Sequence, residues 1–178
     1  GGKDAAVYFH PHYGTDKLGK EDFVESWFLA TKPGNSFFMR WRDLLRELLH
    51  NRMDTQGLLE HPLYKGLELE GMNKLNQEFA GTHHDFREYL AIHAMFQRLI
   101  QNAADKRLWC DFLKFDAAAS AFSLHLRAQE SSMTSAQILT SIGTHSDDML
   151  QGTPLIKFTT PHYGPLLFLT REQLLDER

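Results

Sequence analysis

Between Phe23 and Leu49 the hydrophobic period changes once. Phe23, Val24, Trp27, Phe28, Leu29 and Ala30 form a short apolar run interrupted by Glu25 and Ser26, a composition that suits a buried strand. Lys32-Pro33-Gly34-Asn35 supplies the residues of a tight turn. After it, apolar side chains fall at Phe37, Trp41, Leu44, Leu45 and Leu48, the spacing of one helical face. Asn35 or Ser36 stands where a side chain caps the first turn. The pattern predicts a strand over Phe23–Ala30, a turn, and an amphipathic helix over Ser36–Asn51.

Elsewhere the pattern is patchier. Ala5–Phe9 reads as a short strand, and the proline and glycine of His10-Pro11-His12-Tyr13-Gly14-Thr15-Asp16 make the next stretch a loop. Its H-x-H pair lacks further ligands at a zinc spacing, so a solvated loop is the simpler reading. Met72–Phe79 supports two helical turns. Asp85, with Glu88 in the capping-box position, opens a longer helical pattern to Asn102 that carries Phe86, Tyr89, Leu90, His93, Phe96, Leu99 and Ile100 on one stripe. Leu108–Phe115 is amphipathic. Ala119–Leu126 alternates Phe122, Leu124 and Leu126 with Ser123 and His125, the period of a strand with one wetter face. A short helix over Ser135–Ile142, a strand over Pro154–Phe158 and a helical tail over Arg171–Arg178 complete the reading. No repeat or linker stands out, and one domain over residues 1–178 is expected.

Composition narrows the function classes. A net charge of -4 with the histidines neutral and no basic stripe argue against a nucleic-acid surface. No apolar run approaches the roughly 20 residues of a membrane-spanning helix. The single cysteine, Cys110, cannot form an internal disulfide and is expected as a small buried hydrophobe. At 178 residues the chain is short for a complete nucleotide-sugar transferase. Cytosol and secretory lumen both stay open as compartments.

The strand Glu25-Ser26-Trp27-Phe28-Leu29-Ala30, the Lys-Pro-Gly-Asn turn and the helix F-x-x-x-W-R-D-L-L from Phe37 to Leu45 resemble the capsular polysaccharide synthesis family of glycosyltransferases. That family is related to the Asp-x-Asp sugar transferases, which include fungal mannosyltransferases and toxin glucosyltransferases. Three later pieces fit in order: Arg87-Glu88-Tyr89-Leu90-Ala91-Ile92-His93, Ala117–Leu124 and Thr153–Thr159. The resemblance implies a partial Rossmann-like core of the glycosyltransferase A type, an α/β fold with a mixed sheet flanked by amphipathic helices. It also implies a nucleotide-sugar donor, a saccharide or other hydroxyl acceptor, and Mn2+ or Mg2+ bound through an Asp-x-Asp motif. No such motif occurs here; Glu68-Leu69-Glu70 is the nearest carboxylate pair at that spacing. Either the donor-binding portion precedes Gly1, making this the C-terminal part of the enzyme, or the motif has been lost or moved.

Glu25 is the leading site candidate, because an ionised carboxylate inside an apolar strand costs several kcal/mol in order of magnitude unless it is paired. The resemblance sets Glu25 and Ser26 on the family's substrate-facing strand. The alternative is an ion pair with Arg40, Arg42 or Lys32 that only fastens helix to sheet. Trp27 shares the face of Glu25, Asn35 brings an amide to the end of the strand, and His93 and Lys157 complete the expected substrate contacts. His93 also suits a core histidine, and Lys157 a solvated strand end. His145, Asp147 and Asp148 combine hard oxygen ligands with an imidazole, a set that suits Mn2+ or Mg2+ when substrate phosphates complete the shell, or an exposed acidic loop. Three functions follow: a retaining glycosyltransferase, a catalytically inactive binding domain on the same fold, or a helical scaffold that presents Trp41 and Phe96 to a partner chain.

Overall fold

The computed structural model describes residues 4–16, 19–78 and 85–122, with Leu126 and Glu130. The chain divides into two compact units, Gly1–Phe115 and Asp116–Arg178. Most of the described structure belongs to the first. Its elements are β1 (Ala5–Phe9), β2 (Val24–Thr31), α1 (Ser36–Leu48), α2 (Glu70–Glu78), α3 (Phe86–Tyr89), α4 (Ala91–Ile100), α5 (Ala103–Cys110) and β3 (Leu113–Asp116). Single 3-10 turns lie at Lys20–Asp22 and Leu58–Glu60. The fold is α/β: a three-stranded sheet in the order β2-β1-β3 with flanking helices. Among the described residues no helix is long and apolar enough to cross a membrane.

The sequence explains the arrangement locally. Successive residues Val7 and Tyr8 are both buried, and since neighbours on a strand point to opposite faces, β1 needs cover on both sides and takes the centre of the sheet. Gly34 adopts a φ of 76° in the turn after β2, a conformation that costs glycine nothing. Asn35 then caps α1, its side-chain oxygen accepting from the Phe38 N–H at 3.2 Å. Phe37, Trp41 and Leu48 are buried and Leu44 and Leu45 partly so, as the helical spacing predicts. The Trp41 indole N–H donates to the Ile92 carbonyl at 2.9 Å, fastening α1 to α4. Most of α4 is buried, from Ala91 to Ile100, in keeping with its packing against α1, α5 and β2.

Several expected elements differ. The helix predicted over Asp85–Asn102 breaks at Leu90 (φ -85°, ψ 34°) into α3 and α4. The Tyr64 hydroxyl donates to the Arg87 carbonyl at 3.0 Å, occupying the acceptor that a continuous helix would offer to Ala91. Asp85 does cap α3, but Glu88 accepts from the Leu59 N–H at 3.3 Å and so holds the Leu58–Glu60 turn instead of closing a capping box. Cys110 is exposed, not buried: α5 turns Asp105 and Trp109, one helical turn apart, into the core and leaves the next position outside. The Leu108–Phe115 stretch divides into the end of α5 and the unpredicted strand β3. The strand expected over Ala119–Leu126 does not begin at Ala119. The Asp116 carboxylate accepts from the Ala119 N–H at 3.0 Å and the Phe122 N–H donates to the Ala117 carbonyl at 2.7 Å, coiling an alanine-rich stretch with little strand propensity. The elements expected at Ser135–Ile142, Pro154–Phe158 and Arg171–Arg178 lie outside the described residues.

Candidate functional site

The antiparallel ladder between β1 and β2 is interrupted where the leading candidate sits. Ala5 pairs with Thr31, Ala6 with Ala30 and Val7 with Leu29, but the next pair is Phe9 with Val24. Tyr8 alone fills the gap on β1, whereas Glu25, Ser26, Trp27 and Phe28 fill it on β2. β2 therefore carries a wide bulge at those four residues, a device that re-aims side chains and ends pairing beside functional sites. The two polar residues of the run prevent it from continuing as a regular buried strand.

Within the bulge the Trp27 indole N–H donates to the Glu25 carboxylate at 2.7 Å. The Trp27 and Phe28 rings stand 4.9 and 5.5 Å from that of Tyr8, whose far side meets Phe115 of β3 at 5.3 Å. Tyr8 is buried and its hydroxyl has no hydrogen-bond partner among the described residues. Glu25 itself is half-buried. The three cations weighed as its structural partners are engaged elsewhere: Arg40 with Asp105 at 2.5 Å, Arg42 with its neighbour Asp43 at 2.7 Å, and Lys32 with Asp4 at 2.6 Å.

The loop 10–16 brings a second group of titratable side chains to this end of the sheet. His10 N–H donates to the Phe23 carbonyl at 2.8 Å, which sets the loop beside the start of β2. Gly71 in the first turn of α2 has no room for a Cβ, because the Tyr13 carbonyl lies against it. That close seating presents Tyr13 and His12 to the last residue of α2. Glu78 accepts the Tyr13 hydroxyl at 2.7 Å and is joined to His12 Nε2 at 2.7 Å. Burial first, then the Glu78 bond and the charges of Glu78 and Glu25, raise the Tyr13 phenol well above its ordinary value. Conversely, the hydrogen bonds from Tyr13 and His12 hold the Glu78 carboxyl below the usual range. Two groups result, Glu25 with Trp27 in the bulge and Glu78 with Tyr13, His12 and the His10 ring at the loop, linked by the Glu25 charge acting on Tyr13. Such groups can bind sugar hydroxyls, stack on a sugar ring, or take a proton from an attacking hydroxyl.

The other predicted residues fall apart from this group. Ser26 is in the bulge. Asn35 acts as the α1 cap and borders a recess of about 310 Å³ with Lys32, Ser36 and Phe112. His93 is buried behind Phe23, ring stacked on ring at 5.1 Å, and burial lowers its pKa to about 4. Lys157, His145, Asp147 and Asp148 lie outside the described residues. Among the described residues no group of histidine, cysteine, aspartate or glutamate side chains could hold a metal ion. Sequence reasoning passed over Tyr13 and Glu78. Nothing in their spacing signals a contact between residues 65 positions apart, although the run of rings in His10-Pro11-His12-Tyr13 is unusual for a merely solvated loop.

Over 77 residues the chain is 31% identical to a protein described as an O-glycosyltransferase, braB, from Annulohypoxylon truncatum. This is a distant likeness to a glycosyltransferase. The matched stretch covers 40% of this chain and only 18% of that relative. No family model matches the chain, and no solved structure matches it.

Proposed function

We propose that the chain is part of a glycosyltransferase that moves a hexose from a nucleotide-sugar donor to a saccharide or other hydroxyl acceptor, with the bulge of β2 as its sugar-facing site. The observation that carries this reading is the interrupted ladder at Glu25, whose charge acts on Tyr13. The distant likeness to an O-glycosyltransferase supports it, and the resemblance of the Glu25–Leu45 stretch to the capsular polysaccharide synthesis family agrees with it. In this reading Glu25 orients a sugar hydroxyl or receives its proton, and Trp27 both holds the Glu25 carboxylate and offers a ring for the sugar's C–H face. Ser26 stands beside them as a small hydroxyl donor.

A partial Rossmann-like core of the glycosyltransferase A type belongs to this proposal, as does a divalent cation, Mn2+ or Mg2+, at the loop of His145, Asp147 and Asp148. The described residues do not fit a metal, and the role of Glu25 does not depend on one. The absence of an Asp-x-Asp motif from the sequence favours one second reading, a binding module that keeps the fold without catalysis.

Saturation-transfer NMR of this chain against a panel of mono- and disaccharides tests the site. Saccharide signals should appear with the parent and vanish with Trp27→Ala. Equal signals from both proteins would remove the bulge from the sugar site. Transfer from labelled nucleotide sugars, followed by mass spectrometry, then separates the two readings, since a binding module retains saccharide contact and yields no product.

A further inference from the structure

A groove of about 600 Å³ runs along α1. Its floor is apolar: Phe38, Trp41, Leu45 and Leu49 from α1 and the residue after it, Leu29 from β2 and Ile92 from α4. Leu29 and Leu49 are each more than a third exposed, at 37% and 40%, which is a substantial exposure for leucines that share one depression. From Phe38 to Leu49 the floor extends about 16 Å, or three helical turns.

Charge distinguishes this groove from an ordinary apolar patch. Arg42, Arg46 and His50 border it, four residues apart and therefore in one row on the helix. No aspartate or glutamate is among the described residues that line it, although the chain as a whole carries a net charge of -4. Arg42 also touches Asp43 at 2.7 Å, which offsets part of its field, while both side chains stay more than half exposed. An apolar floor of three turns beside two arginines one helical turn apart matches a helix whose apolar side chains recur every three or four residues and whose flanking positions are acidic.

We propose that this groove docks an amphipathic helix of a partner protein that presents a row of carboxylates to Arg42 and Arg46. Complementary charge fixes the partner's orientation and speeds its encounter, and the apolar floor supplies most of the affinity.

The test uses the full chain and two synthetic helical peptides with the same leucine stripe, one flanked by glutamates and one by lysines. Fluorescence anisotropy should show binding of the glutamate peptide only. The double variant Arg42→Glu/Arg46→Glu should weaken that binding by about tenfold or more and admit the lysine peptide. Equal binding of both peptides, or of neither, overturns the proposal. Phosphatidylserine vesicles binding in preference to the glutamate peptide would reassign the groove to a membrane surface and overturn it too.

Discussion

In the core formed by α1, α4, α5 and the residues that follow it, Phe37 and Trp109 each stand 4.9 to 6.4 Å, centroid to centroid, from one another and from Phe96 and Phe112. At the bulge, Tyr8, Trp27, Phe28 and Phe115 are packed about as closely, Tyr8 lying 4.9 to 5.5 Å from the other three. Aromatic density therefore does not separate a scaffold from a site. The polar atoms do. In the core, the Trp41 indole donates to a backbone carbonyl, the Gln97 amide donates to the Asp22 carbonyl at 2.5 Å, and the Trp109 indole reaches the buried Asp22 carboxylate at 3.3 Å. The two bonds to Asp22 are enclosed, and leaving one unmade in a dry interior is expensive. Around the bulge the bonds run from side chain to side chain, Trp27 to Glu25 and Tyr13 to Glu78, and lie partly in solvent. A ligand's hydroxyls can replace them without opening the fold.

The largest expected effect tests the core half of that contrast. Trp41 is 4% exposed, touches Phe37, Phe38 and Phe96, and fastens α1 to α4. Trp41→Ala should destabilise by about 3 to 5 kcal/mol, the usual cost of emptying an aromatic from a core. An unchanged denaturant midpoint would show that α1 does not depend on this face.

A second, somewhat smaller effect sharpens the comparison through pH. Burial lowers the His93 pKa from 6.5 to about 4, so between those values the unfolded chain binds a proton that the folded chain refuses. Stability must then fall as the pH drops from about 6.5 to about 4, and this group causes no further loss below that. The full difference is on the order of 3 kcal/mol. Glu78 and Asp85, both lowered by their hydrogen bonds, lose their stabilisation only as the pH falls through the carboxylate range, while buried Asp22, raised by desolvation, acts with the opposite sign, so the histidine's share from pH 5 to 6.5, in round figures, is the part of the slope that its removal takes away. Urea titrations across that interval should show a slope in the parent that His93→Leu flattens. The same slope in both proteins would assign it to another group.

What the sequence revealed follows the same division. The strand, turn and helix from Phe23 to Leu48 were legible because periodicity, turn chemistry and an asparagine cap agree with one another along a short stretch. Ala5–Phe9 was legible as a short apolar run that ends at the proline and glycine of the next loop. β3 was not, since Leu113-Lys114-Phe115-Asp116 is four residues long and too short for alternation to outweigh the helical reading of its neighbours. The break at Leu90 depends on Tyr64, and the exposure of Cys110 on which helical face Trp109 claims; both are tertiary outcomes that local propensity does not encode. At the site, Glu25 was legible as a charge in an apolar run. Its indole partner Trp27 was placed on its face by the strand period, yet the bulge itself required β1, whose register no local pattern specifies.

Glu25→Gln gives the smallest expected change in stability and bears most directly on the bulge. The substitution keeps the side chain's length and leaves a carbonyl oxygen to accept the Trp27 indole N–H, so the contact seen at 2.7 Å loses its charge and not its geometry. Glu25 is half-buried, glutamine keeps the Trp27 contact, and the nearby charge that opposes Tyr13 ionisation disappears. The melting midpoint should therefore move by less than the equivalent of about 1 kcal/mol. Saccharide binding or sugar transfer, by contrast, should fall by about tenfold or more if the carboxylate accepts a hydroxyl proton, because a neutral amide cannot receive it. A structural carboxylate predicts the opposite pair of results: a clear drop in the melting midpoint with saccharide contact unchanged. Measured together on one variant, the two readouts decide whether the broken ladder of β2 was shaped for a ligand or is a fault in the sheet that Glu25 and Trp27 repair.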